Sequence, residues 1–158
     1  MLKPLEQWIC DRCGVVINAP EEGYVEWMET NGKMHGFRIV HHALYSPRKR
    51  DGGDCYYTNS ERGGDFALTD LIGVRGLLGL TAWIDVGEWH NPGYNGPHVK
   101  DLREWTALFR RLQVPYYEEA RLCTAELRDV LEGGANEIYL YLPETLKGII
   151  EERESSVA

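Results

Sequence analysis

The chain of 158 residues has no apolar run that approaches the ~20 residues of a membrane-spanning helix. Its first residues also lack an apolar stretch of signal-peptide length. Positive charge is in deficit, because 17 basic and 25 acidic side chains leave a formal net charge of −8. An acidic chain repels phosphate backbones at long range, which disfavours nucleic acid as a partner. We therefore expect a cytoplasmic protein with no membrane segment.

Complete catalytic motifs are also missing. The sequence has no glycine-rich loop of the P-loop or dinucleotide-binding kind, no nucleophile with an adjacent base and no internal repeat. A zinc deaminase needs a His-x-Glu pair ahead of its cysteine pair, and none precedes Cys10. These gaps favour a binding protein over an enzyme. The five tryptophans and nine tyrosines suit a protein interface, although they suit a core equally well.

Cysteine is scarce, yet two of the four cysteines stand two residues apart in the segment 10–14 (CDRCG), which we call the cysteine turn. A C-x2-C turn brings two sulfurs to one point, as zinc sites require. In a reducing compartment such a pair is typical of metal binding or catalysis rather than of a disulfide. The thiols could instead fill the core as small apolar groups. A redox pair is disfavoured, because residues 15–17 (VVI) continue as strand rather than helix.

The segments 24–28 (YVEWM) and 36–41 (GFRIVH) have the β-branched and aromatic character of strands. Asn31-Gly32 lies between them and is a strong signal for a type I′ turn, since both residues tolerate positive φ. The pattern predicts an antiparallel hairpin whose second strand ends at His41 and His42. Folding this hairpin brings the two histidines back beside the cysteine turn.

These elements together predict a four-ligand zinc site. The predicted ligands are Cys10, Cys13, His42 and Cys55. His41 is the substitute for His42, and Asp54 or His35 are further alternatives for the fourth position. We expect a structural Zn²⁺, because the ligand set leaves no evident open coordination position.

Over about residues 8–60, this arrangement resembles the zinc-ribbon and treble-clef families. The cysteine turn followed by a hairpin matches their first knuckle, and the resemblance implies a small β module built around a structural zinc ion. Those families space the two ligands of a knuckle about two to four residues apart. In this chain a dozen residues separate His42 from Cys55, so the second half departs from the family pattern.

Two alternative functions involve nucleic acid. The basic triplet Arg48, Lys49 and Arg50 could contact phosphate in a nucleic-acid-associated zinc protein, although such a run is more often a solvated loop. The segment 39–42 (IVHH) also looks like the strand that carries the histidine base of HNH nucleases. That family needs an asparagine and a second metal-binding histidine on the following helix. Asn59 lies downstream, but no histidine follows it at that spacing.

The loop over residues 87–100 is the predicted binding surface, for a protein partner. Its aromatic and histidine side chains are Trp89, His90, Tyr94 and His98. Loops placed by a rigid scaffold often carry binding residues. Alternatively, Trp89 packs down as an anchor and the histidines are solvated.

The predicted fold is α+β, with a zinc-stabilised β-hairpin module (residues 1–65) and a mostly helical part (66–158) that share one core. We expect a loop over 43–65 and a helix over 70–80 capped by Thr69. Asp101 should cap a helix over 102–112, and a second helix should span 116–131 with Cys123 on its apolar face. Residues 138–142 alternate like a strand, and Pro143 suits the first turn of a final helix.

Overall fold

The computed structural model describes residues 1–57, 60–85, 96–134 and 136–157. It confirms the α+β class, with small antiparallel sheets followed by a mostly helical part. The strands in the described residues are β1 (Trp8–Ile9), β2 (Val16–Ile17), β3 (Gly23–Thr30), β4 (Lys33–His41) and β5 (Gly64–Ala67). The helices there are α1 (Leu68–Leu71), α2 (Gly73–Ala82), α3 (Leu102–Gln113), α4 (Tyr117–Ala120), α5 (Thr124–Glu132), α6 (Glu137–Leu140) and α7 (Pro143–Val157).

The predicted hairpin is confirmed as the β3–β4 pair. Asn31 and Gly32 both have positive φ, at 53° and 70°, as a type I′ turn demands. At the other end of the pair, Gly23 lies opposite His41. β5 pairs with the free edge of β3, which gives the strand order β4-β3-β5. The expectation of a loop as far as residue 65 missed this strand, which begins at residue 64.

β1 and β2 form a separate two-stranded ribbon that carries the cysteine turn at its tip. The turn is closed by backbone hydrogen bonds, in which Cys10 N donates to Val15 O at 3.1 Å and Gly14 N donates to Cys10 O at 2.9 Å. Gly14 has a φ of 74°, a left-handed conformation that glycine adopts without strain. The turn is thus held by its own backbone before any side chain contributes.

The predicted helix over 70–80 was wrong in its start and in its continuity. Thr69 lies inside α1 and caps nothing, because α1 begins at Leu68 after Ala67. The chain becomes extended at Ile72, and α2 begins at Gly73, which has a left-handed φ of 59°. The apolar periodicity continues across this break, which is why it predicts a single helix.

The helical part confirms some predictions and corrects others. Asp101 caps α3 as expected, since its Oδ1 accepts from Arg103 N at 2.7 Å. The predicted helix over 116–131 is divided into α4 and α5 by the segment 121–123. Residues 138–142 are not a strand, because Asn136 Oδ1 accepts from Tyr139 N at 2.9 Å and caps α6. Pro143 begins α7 as predicted.

Most of the buried side chains form two groups, and the first of them includes Cys10 and Cys55 of the candidate site. The first combines Trp8 of β1 and Ile39 of β4 with Leu68 of α1 and Leu112 of α3. The second lies among α4 to α7 and includes Cys123, as predicted from the apolar face. The division at residue 65 remains a prediction. In the residues that the structure describes, no helix combines the length and apolarity needed to cross a bilayer.

Candidate metal centre

Three separate segments of the chain bring sulfur and nitrogen atoms to one place. The cysteine turn contributes Cys10 and Cys13, the end of β4 contributes His41, and the segment after β4 contributes Cys55. Cys10, His41 and Cys55 are buried, and Cys13 is half-buried. We call these residues the four-residue cluster. Their ligand atoms all lie within 4.8 Å of one another.

The ring of His41 is oriented by both of its nitrogens. Nε2 lies 3.3 Å from the carbonyl oxygen of Val16, which can only accept a hydrogen bond, so Nε2 carries the proton. Nδ1 is then the unprotonated nitrogen, and it lies 3.5 Å from Cys13 Sγ and 4.0 Å from Cys55 Sγ. A histidine that donates one N–H to a backbone carbonyl and directs its other nitrogen at a site has the usual arrangement of a metal ligand.

Cys55 reaches the cluster from a segment with little regular structure. A 3-10 turn over Pro47–Asp51 ends at Gly52, whose left-handed conformation reverses the chain toward Cys55. The Cys55 sulfur lies 3.1 Å from Ser46 Oγ, and its backbone N–H donates to Asp54 Oδ1 at 3.1 Å. Ser46 is buried, so this contact restrains the Cys55 thiol in addition to the contact with His41.

Burial sets the proton affinities of these groups. Burial raises the pKa of the Cys55 thiol to about 12, although Ser46 partly opposes the shift, and the neighbouring Cys10 thiol adds to it. Burial also raises the pKa of Cys13. It lowers the pKa of His41, because the charged ring would lose its hydration. The imidazole is therefore neutral near pH 7, as a metal ligand must be, whereas the Cys13 and Cys55 thiols remain protonated until a cation favours the thiolates.

The donor set and spacing fit a zinc ion. Zinc bonds of about 2.3 Å to sulfur and 2.0–2.1 Å to nitrogen place the ligand atoms of a tetrahedron about 3.3–3.8 Å apart. Cys13 Sγ and His41 Nδ1 already have a separation of 3.5 Å, and the widest pair is within 4.8 Å. Three thiols and one imidazole match the Cys3His sets of structural zinc sites. The cluster could therefore hold a metal ion after movements of about 1 Å.

The structure brings Cys10, Cys13 and Cys55 together with His41, and not with His42. The His42 ring stacks obliquely against Tyr24 with centroids 4.9 Å apart, and its Nδ1 accepts from Leu44 N at 3.1 Å. Of the further alternatives, His35 contacts Thr30 Oγ1 at 2.8 Å, and Asp54 accepts a hydrogen bond from the Cys55 backbone. Neither belongs to the four-residue cluster.

The cysteine turn is also tied to the helical part by charge. Asp11 Oδ2 accepts from Ile39 N and from Arg111 Nη1, both at 2.7 Å. Arg111 in turn donates from Nε to Glu118 Oε2 at 2.6 Å, and Arg121 completes the group. We call Asp11, Arg111, Glu118 and Arg121 the charge network. Sequence reasoning missed it, because nothing distinguishes Arg111 from the adjacent Arg110 without the fold.

The predicted binding surface falls largely outside the described residues, since Trp89, His90 and Tyr94 all lie in the undescribed range 86–95. Asn59, the asparagine considered for an HNH site, is also outside the described residues. His98 is described and half-buried. Its backbone N–H donates to Trp83 O at 2.7 Å, and its carbonyl accepts from Met34 N at 2.8 Å. The backbone of His98 therefore joins α2 to the edge of β4.

Comparison with protein-family models, with curated proteins and with solved structures gave no match for this chain. The function must therefore be inferred from the geometry of the site.

Proposed function

We propose that the protein binds one structural zinc ion through Cys10, Cys13, His41 and Cys55, in a zinc-ribbon-like module. The observation that carries this proposal is the convergence of three thiols and one oriented imidazole nitrogen within 4.8 Å. Four protein donors would complete a tetrahedron, which leaves no position for a substrate or a water molecule. The ion would thus link the β1–β2 turn, the end of β4 and residue 55.

Such a link would supply folding energy to a part of the chain with little regular secondary structure. β1 and β2 contain two residues each, and the segment that carries Cys55 has only a short 3-10 turn. A two-stranded ribbon of this size is marginal in water by itself. Because a metal site does not exist in the unfolded chain, the free energy of metal binding becomes free energy of folding.

The test is the zinc content and thermal stability of matched variants. Cys55→Ser and His41→Ala should lose zinc and melt at a lower temperature than the wild type. His42→Ala and Cys123→Ser are the controls, since each removes the same residue type from outside the cluster, and both should keep one zinc per chain. Elemental analysis that finds no zinc in the wild-type protein, with freely titrating thiols, would contradict the proposal.

The structural character of the ion is tested separately. Removal of zinc with a chelator should lower the melting temperature of the wild type and leave that of Cys55→Ser unchanged. A wild-type protein whose melting temperature does not change on removal of zinc would contradict a structural role for the ion, and a Cys13→Ser variant that stays folded but loses an activity would favour a catalytic one.

We further propose that this scaffold binds another protein. In addition to the predicted loop, the outer face of α2 supports this role, because Val74 and Leu78 are 76% and 66% exposed and Leu77 lies beside them. Large apolar side chains grouped on one exposed helix face are typical of interaction surfaces. A Val74→Asp/Leu78→Asp variant should fail to bind a partner captured by the wild type and should keep its melting temperature. Equal capture by both proteins would remove this face from consideration.

A further inference from the structure

A polar groove lies beside the four-residue cluster, between the turn that follows β4 and the 3-10 turn over Pro47–Asp51. Its volume is about 520 Å³. Its lining consists of Leu44, Tyr45, Ser46, Pro47, Lys49 and Arg50. We call it the basic groove, since this lining carries two cations and no carboxylate. Ser46 connects its wall to the cluster, through the contact with Cys55 Sγ at 3.1 Å.

The two cations of the basic groove are available to a ligand. Lys49 and Arg50 are exposed, and no ion pair with a described carboxylate is found for either. Arg48, the first member of the triplet, differs from them, because its guanidinium packs over Gly53 at the end of the turn. The structure thus divides the basic triplet: Arg48 supports the 3-10 turn, whereas Lys49 and Arg50 line the groove. An acidic chain that keeps two unpaired cations in one groove offers an anion a local site.

An aromatic ring forms part of the same groove. Tyr45 is 50% exposed, and its ring meets the His42 ring edge-on with centroids 6.0 Å apart. His42 is supported from behind by Tyr24, at 4.9 Å. The backbone of the turn is fixed by the hydrogen bond from Tyr45 N to His42 O, at 2.9 Å. A half-exposed ring held in place by other rings is suited to stacking against a planar group.

We propose that the basic groove binds single-stranded nucleic acid, with phosphates at Lys49 and Arg50 and a base stacked on Tyr45. This inference goes beyond the proposed structural zinc site and does not depend on its metal. Cations that follow a backbone beside an exposed aromatic ring are the usual elements of sequence-tolerant strand binding. The net charge of −8 keeps the interaction weak and confines it to this groove.

Salt dependence and matched variants test the proposal. Fluorescence anisotropy of labelled oligo(dT) and oligo(U) of about 15 nucleotides would be measured with the full, zinc-loaded chain. Two phosphate contacts predict a slope of about −1.4 for log K against log salt concentration. Lys49→Gln/Arg50→Gln should remove most of that slope. Tyr45→Ala should weaken binding about tenfold with the slope unchanged, and Tyr45→Phe should bind like the wild type.

The control for net charge is Arg128→Gln/Lys147→Gln, which removes the same charge from α5 and α7. It should bind the oligonucleotides nearly as well as the wild type does. The proposal is overturned if the protein binds neither oligonucleotide. It is also overturned if Lys49→Gln/Arg50→Gln and Arg128→Gln/Lys147→Gln lose the same amount of binding affinity. It is also overturned if vesicles of phosphatidylcholine and phosphatidylserine bind the protein through Lys49 and Arg50 while the oligonucleotides do not.

Discussion

Replacement of Arg111 by methionine should strongly destabilise the protein, because the guanidinium neutralises two carboxylates in a place with little water. Arg111 is 8% exposed. Its Nε and Nη2 donate to the two oxygens of Glu118, at 2.6 and 2.9 Å, while Nη1 donates to Asp11 Oδ2 at 2.7 Å. Removal of one partner from such a buried group costs about 3–5 kcal/mol, since the remaining charge is left without compensation.

The two carboxylates keep other partners in Arg111→Met, so we expect the loss in free energy of unfolding to be near the lower end of that range. Glu118 keeps Arg121, whose Nη2 donates to Oε1 at 3.0 Å, and a hydrogen bond from Ile9 N at the same distance. Asp11 keeps the bond from Ile39 N and is partly exposed. We therefore expect Arg111→Met to lower the free energy of unfolding by about 3 kcal/mol.

The stability difference between the wild type and Arg111→Met should also depend on pH, in a direction set by the pKa of Glu118. Burial alone would raise the pKa of Glu118, but the hydrogen bonds and charges of Arg111 and Arg121 outweigh burial and hold the pKa below its ordinary value of 4.5. A lowered carboxyl pKa contributes stability that is fully present above the ordinary value and is lost as the pH falls through the lowered one. The difference in stability between the wild type and Arg111→Met should therefore shrink as the pH falls below 4.5.

Urea unfolding followed by circular dichroism, with zinc in excess, measures both effects. Arg110→Met is the matched control, because this neighbour on α3 lies over the ring of Tyr141 at 3.8 Å and faces no described carboxylate at ion-pair distance. Arg110→Met should lower the free energy of unfolding by about 1 kcal/mol or less. If Arg111→Met costs no more than Arg110→Met, the charge network does not stabilise the fold and the reasoning fails.

Three further predictions concern the glycines of α2, the release of protons on zinc uptake and the role of Asp11. Gly76→Ala should lower the free energy of unfolding by about 1–3 kcal/mol, because the new Cβ would overlap the Leu71 backbone. Gly79→Ala should be neutral or stabilising, since the nearest atom to its Cβ would be at 3.9 Å. Thermal unfolding of the two variants measures the difference. Zinc uptake at pH 7 should release at least about two protons, because the raised pKa values keep the Cys13 and Cys55 thiols protonated before the metal binds, and titration calorimetry in buffers of different ionisation enthalpy measures the release. Asp11→Asn should lower zinc affinity about tenfold or more in a chelator competition, whereas an unchanged affinity would show that Asp11 does not orient the turn.

Short-range patterns allowed the sequence to predict the parts nearest the candidate site. The type I′ turn at Asn31-Gly32 depends on two adjacent residues, and the cysteine turn on five, so each can be inferred from the sequence without knowing its partners. The choice between His41 and His42 depends instead on one residue of strand register, because successive side chains point to opposite faces. In the structure His41 pairs with Gly23 as the last residue of β4, and its ring turns inward.

Periodicity was a poorer guide wherever the backbone departs from a regular element without changing the apolar spacing. The glycines at every third position of the predicted helix over 70–80 illustrate this. Gly73 is the first residue of α2 and has a left-handed φ of 59°, and Gly76 permits close approach to the Leu71 backbone. A Cβ at Gly79 would make only an ordinary van der Waals contact, with Leu71 Cδ2 at 3.9 Å. The three glycines of this repeat therefore lie in three different environments, which cannot be told apart without the fold.

The position of Asp11 between the two cysteines couples the candidate metal site to the helical part. Cys10 and Cys13 face the cluster, while the carboxylate between them faces Arg111. On the same helix, the Arg111 carbonyl accepts from Trp8 Nε1 at 3.1 Å, just before the turn begins. The turn is thus held by sulfur contacts on one side and by α3 on the other. Because both sets of contacts restrain the same five residues, loss of either should weaken the other, and we expect the combined cost of Cys55→Ser and Arg111→Met to depart from the sum of their separate costs.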